Sequence, residues 1–126
     1  MKRYFDVNVF VYYLLGDPTY GKIAYNWIKE TEERLTSIIT PFEVSIVVSK
    51  LLNTNLRDMN VIGKIFQAFK DLGIRLVEID WDHVYYVAVK YKLDLEDAIH
   101  VSCGLKENAE IISNDEELKS KVNAKF

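Results

Sequence analysis

The stretch 91–118, "YKLDLEDAIHVSCGLKENAEIISNDEEL", carries the reading of the fold. Three carboxylates, Asp94, Glu96 and Asp97, fall close together and give way at once to an apolar run. Acids crowded against a buried helix are costly unless they cap it or are neutralised. Behind them the pattern predicts a helix over 95–107, an apolar strand "AEIIS" over 109–113 and a helix over 115–121, with a last strand near 122–126. Helix, strand and helix in quick succession are the repeating unit of an α/β sheet.

The same alternation runs upstream. Residues 2–6 read as a short strand, and 8–15, "NVFVYYLL", apolar all round, as a buried short helix or a continuation of that strand. Residues 19–33 place Tyr20, Ala24, Trp27 and Ile28 on one helix face, with "ETEER" as the solvated end. "LTSII" (35–39) predicts a strand, and "TPFE" opens a helix to about Leu52 with Thr40 as cap and Pro41 at the first position. In 58–72, Ile62, Ile65, Phe66, Phe69 and Leu72 follow helical spacing and Gly73 supplies the stop. "IRLVEI" (74–79) predicts a third strand, leading into a helix over 81–91 with Trp81, Val84, Tyr85, Ala88 and Tyr91 inward. The expected architecture is α/β, a mainly parallel sheet of four to five strands covered on both faces by helices.

Composition bounds the function classes. A chain of 126 residues that is 49% hydrophobic suits one domain, 1–126, with a substantial core. A formal charge of −3 gives no strong field toward nucleic acid or anionic lipid, so any nucleic-acid site must be local. The single Cys103 permits neither an intramolecular disulfide nor a thiolate metal site; with Ala98, Ser102 and Gly104 it reads as a small-residue face for close packing. No apolar stretch approaches the roughly 18 to 20 residues needed to span a bilayer, so the expectation is a cytoplasmic protein without membrane contact.

The acids then acquire an address. Asp6 closes the first strand, Glu43 lies in the first turn after the second, Asp115 follows "AEIIS", and Asp97 opens the helix before it. Ligand sites in open α/β sheets form outside the carboxyl ends of the strands. Four carboxylates there would raise one another's pKa values unless a cation compensates, and oxygen-only ligands suit Mg²⁺ or Mn²⁺ and phosphodiester chemistry. Taken singly, each acid has a structural reading. Thr40 and Glu43 have capping-box spacing, Asp94 and Asp97 have that of an N-cap and a third-position acid, and Asp115 stands ready to cap "EEL". Asp94 is read as the cap and Glu96 as a solvent-facing or secondary acid. His100 follows Asp97 by one turn and reads as a packed or surface residue; His83 carries no signal.

With these residues in place the chain resembles the PIN domain family of small metal-dependent ribonucleases. "FDVNVFVYYLLGD" (5–17) resembles its opening strand and helix, with an Asp followed two residues on by Asn; "TPFEVSIVVSKLL" (40–52) its second motif; and 91–118 its third and fourth. Val7 and Ser113 stand where a small hydroxyl residue and Thr are commoner in the family. The resemblance implies a three-layer α/β/α sandwich. It implies a catalytic and metal-binding set of Asp6, Glu43, Asp97 and Asp115 holding one or two Mg²⁺ or Mn²⁺ ions, with Asn8 and Ser113 in support. It also implies endoribonuclease activity on RNA, in the manner of the VapC-type toxins of VapBC toxin–antitoxin pairs. Such proteins are usually homodimers whose antitoxin lies in a helical groove, here expected among helices 8–33 and 41–72, with "VYY" and "IFQAF". RNA affinity would rest on metal and on Lys50, Arg57 and Lys64. Two alternatives stand beside this. One is a receiver-like phosphoacceptor using Asp6, Asp80 and Ser113; the other is a PIN-like module that binds RNA or protein without catalysis.

Overall fold

Four strands, β1 (Lys2–Phe5), β2 (Glu33–Ser37), β3 (Arg75–Val77) and β4 (Glu110–Ile112), form one sheet in the order β3-β2-β1-β4 in the computed structural model, which describes residues 1–126. Every pairing is parallel. The helices are α1 (Val7–Leu15), α2 (Gly21–Lys29), α3 (Thr40–Leu51), α4 (Met59–Asp71), α5 (Trp81–Tyr91), α6 (Leu95–Lys106) and α7 (Glu116–Val122). None is long and apolar enough to cross a membrane.

The pleat sorts the strand residues between two cores. Tyr4 stands in register with Leu35 on one side and Ile111 on the other. These three and Val77 pack against Val84 and Val87 of α5, Ile99 and Cys103 of α6 and Leu118 of α7. Phe5 and Ile112, one residue along, point to the opposite face. There they meet Val9 and Phe10 of α1, Ala24 and Ile28 of α2, Val44 and Val48 of α3, and Ile65 and Phe69 of α4. Helices therefore cover both faces, the three-layer arrangement that an all-parallel sheet requires. Each fully buried Leu, Ile, Val or Phe in these layers contributes about 1.5–3 kcal/mol.

Four expectations from periodicity are corrected. "ETEER" is not the end of α2: Glu33 and Arg34 already pair with Lys2 and Arg3 in β2, which therefore starts and ends two residues earlier than 35–39. Trp81 and Tyr85 are not inward. They are 58% and 74% exposed, while Val84 is buried as expected and Val87, outside the expected set, joins it in the core. Aromatic and aliphatic residues share the helical spacing, and only packing decided which side of Val84 is buried. On α4, Phe66 likewise faces outward while Ile62, Ile65 and Phe69 are buried. The last strand is reduced to a single bridge from Lys125 to Ile112, because α7 runs to Val122 and leaves too little chain for a ladder. The sheet accordingly has four strands.

The stop after α4 is as expected: Gly73 adopts φ 63°, the left-handed region that costs glycine least. Gly104 is needed for a different reason. A Cβ there would lie 2.9 Å from Ile111 Cγ1 and 3.5 Å from Tyr4 Cβ, so the missing side chain is what lets α6 lie against β1 and β4. Replacing Gly104 by Ala should destabilise the protein by about 1–3 kcal/mol through overpacking. Gly63, inside α4 with open space around it, predicts the opposite sign: Gly63→Ala should stabilise by about 0.4–1 kcal/mol. Urea midpoints of the two variants against the parent check both, and equal effects would contradict the close approach of α6.

Candidate active site

β1 has β2 on one side and β4 on the other, so the strand order reverses at its carboxyl end. Asp6 stands there. Its N–H donates to the Ile112 carbonyl at 3.0 Å, continuing the β1–β4 ladder by one rung. Its carboxylate caps α1, with Oδ1 accepting from the Val7 N–H at 2.8 Å. Oδ2 accepts from the Ser113 hydroxyl at 2.8 Å. That hydroxyl in turn accepts the Asp115 N–H at 3.1 Å, and Asp115 caps α7 through Leu118 at 3.1 Å. Capping and site membership are thus compatible in one carboxylate, since a cap uses one oxygen and leaves another.

Glu43 is freed by a cap that does not form. α3 begins at Thr40 with Ile39 as its N-cap residue and no side-chain cap, so the predicted Thr40–Glu43 capping box is absent. The Thr40 hydroxyl lies instead 2.7 Å from that of Thr36, which donates to the Phe5 carbonyl. Glu43, only 9% exposed, turns to His100: Oε1 is 2.8 Å from Nε2. Asp94 caps α6 as expected, accepting the Asp97 N–H at 2.9 Å, which leaves the Asp97 carboxylate without a capping duty.

Asp6, Asn8, Glu43, Glu96, Asp97 and Asp115 line one cleft of ≈ 200 Å³, with Val7, Ile46 and Val47 as its apolar wall. All four predicted acids and Asn8 therefore meet, while Ser113 lies behind, holding Asp6. Glu96 joins them, which its exposed place in the first helical turn did not foretell. His100, expected to be packed or at the surface, is packed at 1% exposure and also touches Glu43. Tyr4, which carried no sequence signal, contacts the far side of His100. Asp80, required by the receiver-like alternative, is elsewhere. It caps α5 through His83 at 3.2 Å and pairs with Lys106 beyond the end of β3.

Electrostatics record the crowding. Burial, followed by the charges of Asp94, Asp115 and Asp6, pushes the Asp97 carboxyl up to about 6. The hydrogen bond with Glu43, then burial and the Glu43 charge, push Glu96 up to about 7. Burial acts upward on Glu43 too, but hydrogen bonds with His100 and Glu96 outweigh it and leave Glu43 below its usual value. No lysine or arginine lines the cleft. No three His, Cys, Asp or Glu side chains already stand close enough to enclose an ion. The donor set, all oxygen and rich in negative charge, fits a hard divalent cation that keeps part of its water shell.

Comparison with known proteins bears on the fold. The structure of a toxin–antitoxin complex from Klebsiella pneumoniae contains a chain similar to this one, with TM-score 0.69 and 18% identity over 98% of this chain and 96% of that one. The PAE2754 structure from Pyrobaculum aerophilum is similar with TM-score 0.73 and 19% identity, over 100% and 88% of the two chains. VapBC2 from Rickettsia felis, bound to a DNA fragment from its promoter, gives TM-score 0.72 and 15% identity over 99% and 96%. At such identities the likeness is one of fold. No curated protein matches by sequence. The PIN domain family model matches residues 3–122, nearly the whole chain, and the protein therefore belongs to the PIN domain family, whose members are generally nucleases.

Proposed function

We propose that the chain is a single PIN domain acting as a Mg²⁺- or Mn²⁺-dependent endoribonuclease, the toxin of a VapBC-type pair. The observation that carries the reading is the meeting of Asp6, Glu43, Asp97 and Asp115 in one cleft at the strand-order reversal, with no cationic side chain to neutralise them. A bound divalent ion would supply charge for a phosphate and an acidified water. Asp6, Asp97 and Asp115 would hold the ion, and Glu43 would complete its shell or orient the attacking water. Ser113 holds Asp6 by its hydroxyl, and Asn8, exposed in the cleft lining, would orient a carboxylate or a metal-bound water.

The partners in this reading are an RNA substrate, an antitoxin and a second copy of the chain. Two of the similar structures contain a toxin with its antitoxin or the VapBC2 pair, which supports an antitoxin here. Exposed Ile38, Phe42, Leu56 and Phe66 form an apolar trough along α3 and α4 suited to an apolar antitoxin segment. Within "VYY", by contrast, Val11 is core, Tyr12 packs on Tyr20 and Phe126, and Tyr13 on Tyr25. The exposed face of α5, with Trp81, Tyr85, Tyr86 and Val89, is the surface assigned to the second copy. Lys50, Arg57 and Lys64, all exposed, lie outside the cleft, so RNA binding should be modest and salt-sensitive.

Asp97→Asn should lower Mn²⁺-dependent cleavage of a mixed RNA substrate by about 100-fold or more, at or beyond the top of the range for residues that merely orient a ligand. The same variant should leave the metal-free protein at least as stable at neutral pH, because a repelled charge is removed. Cleavage at the parental rate by folded Asp97→Asn would sink the assignment.

A pH dependence follows from the same carboxyls. Asp97 and Glu96 hold their protons up to about 6 and about 7 in the folded chain, above their values when unfolded. The folded state therefore binds more protons than the unfolded state in this window, and stability falls as pH rises from about 5 to about 7. His100, held above its ordinary value by Glu43 against the opposing effect of burial, acts in the same direction. Urea midpoints measured with a chelator should decline across this window, less so in Asp97→Asn, and saturating Mn²⁺ should flatten the decline. An identical pH profile for parent and variant would contradict the crowding at Asp97.

A further inference from the structure

Behind the acidic cleft three buried polar side chains stand in line. Tyr4 on β1 is fully buried, His100 on α6 is 1% exposed, and Glu43 on α3 is 9% exposed. Tyr4 Oη lies 2.6 Å from His100 Nδ1, and His100 Nε2 lies 2.8 Å from Glu43 Oε1. The imidazole is thus used at both nitrogens in the buried interior, where an unsatisfied polar atom is costly.

The order of donors along the line is fixed by its ends. Burial keeps the Tyr4 hydroxyl well above its ordinary pKa, so it is neutral and has a proton to give. The Glu43 carboxylate, like an ordinary glutamate ionised at neutral pH, offers Oε1 to the ring only as an acceptor. Between a donor and an acceptor, the ring accepts from Tyr4 at Nδ1 and donates from Nε2 to Glu43. A second ring proton would change the partner role of Tyr4 and leave the Nε2–H bond to Glu43 as it was. The placement along the chain also matters: Tyr4 precedes Asp6 by two residues on β1, and His100 follows Asp97 by three on α6. The elements that carry two of the cleft's acids therefore carry the tether to a third.

We propose that His100, backed by Tyr4, is a positioning residue that pins one oxygen of Glu43 through its Nε2–H and so presents the carboxylate to a divalent ion in the cleft. This rests on the metal reading above. Without the tether Glu43 would recover its rotamer freedom, and the spacing between α3 and α6 would lose its polar link. Partners of this kind typically change metal affinity 10–100-fold.

The test is a Mn²⁺ titration of the full chain, read by the electron paramagnetic resonance of free Mn²⁺, with thermal midpoints in chelator to establish folding. His100→Leu should weaken Mn²⁺ binding by about 10–100-fold. His100→Gln restores an amide donor where Nε2–H stood and should regain most of that loss. Tyr4→Phe, which keeps the ring and removes only the hydroxyl, should weaken binding by about 10-fold, the low end of the same range; it decides the matter if the leucine variant does not fold. Parental Mn²⁺ affinity in Tyr4→Phe or His100→Leu, or a glutamine variant no better than leucine, would overturn the proposal. In the parent, ¹⁵N spectra of His100 should show a proton on Nε2; a bare Nε2 accepting from a protonated Glu43 would overturn the tether while leaving the metal reading intact. A parent that takes up no Mn²⁺ would instead overturn the metal reading and the role of Glu43 in it, with the Nε2 proton still reporting the tether itself.

Discussion

The hydrogen bond from the Ser113 hydroxyl to Asp6 crosses the line where the strand order reverses, and at 2.8 Å it joins the ends of the two strands that flank that line. Asp6 also continues the ladder through Ile112 and caps α1 through Val7. One residue, through its backbone N–H and its carboxylate, therefore aligns β1, β4 and the helix that begins the opposite layer. Asp115 is carried to the same place because its own N–H returns to Ser113. The cleft is a by-product of how two parallel strands end and two helices begin, and for that reason two of its acids, Asp6 and Asp115, are helix caps as well as cleft residues.

The remaining acids reach the cleft by different physics. Glu43 and Asp97 come from helices on opposite faces of the sheet, and α6 can lie close enough only because Gly104 has no Cβ to meet Ile111. Once assembled, the carboxyls divide. Asp97 is pushed up by burial and neighbouring carboxylates and Glu96 by its hydrogen bond with Glu43 and by burial, while Glu43, anchored on His100, stays below its usual value. A site arranged in this way is strained by charge in the absence of a counterion, a cost that the two well-packed cores must carry.

The layered α/β fold and its succession of elements were legible in the chain because helix and strand periods are local properties, and the runs at 2–6, 58–72 and 95–113 hold them cleanly. Errors arose where local patterns were degenerate. Trp81, Tyr85 and Val87 all lie within helical reach of the buried Val84, and "ETEER" reads equally as a helix end or a strand start. Thr40 and Glu43 have the spacing of a capping box, yet Thr40 is drawn to Thr36 by a contact that sequence spacing does not encode.

By itself the sequence determined that acids fall at element boundaries, that Asp94 caps its helix, and that no thiol or histidine cluster competes with them for a metal. Tertiary structure decided which boundaries share an edge. The order β3-β2-β1-β4 brings Asp6 to Asp115 and leaves Asp80 apart, and it draws Glu96 into the cleft. It also gives His100 a use, bridging partners 96 and 57 residues away. The reason is one of range: a cap or a helical face is fixed by neighbours within a turn, whereas a shared cleft depends on strand order and interlayer distance, which only the packing of the whole chain sets.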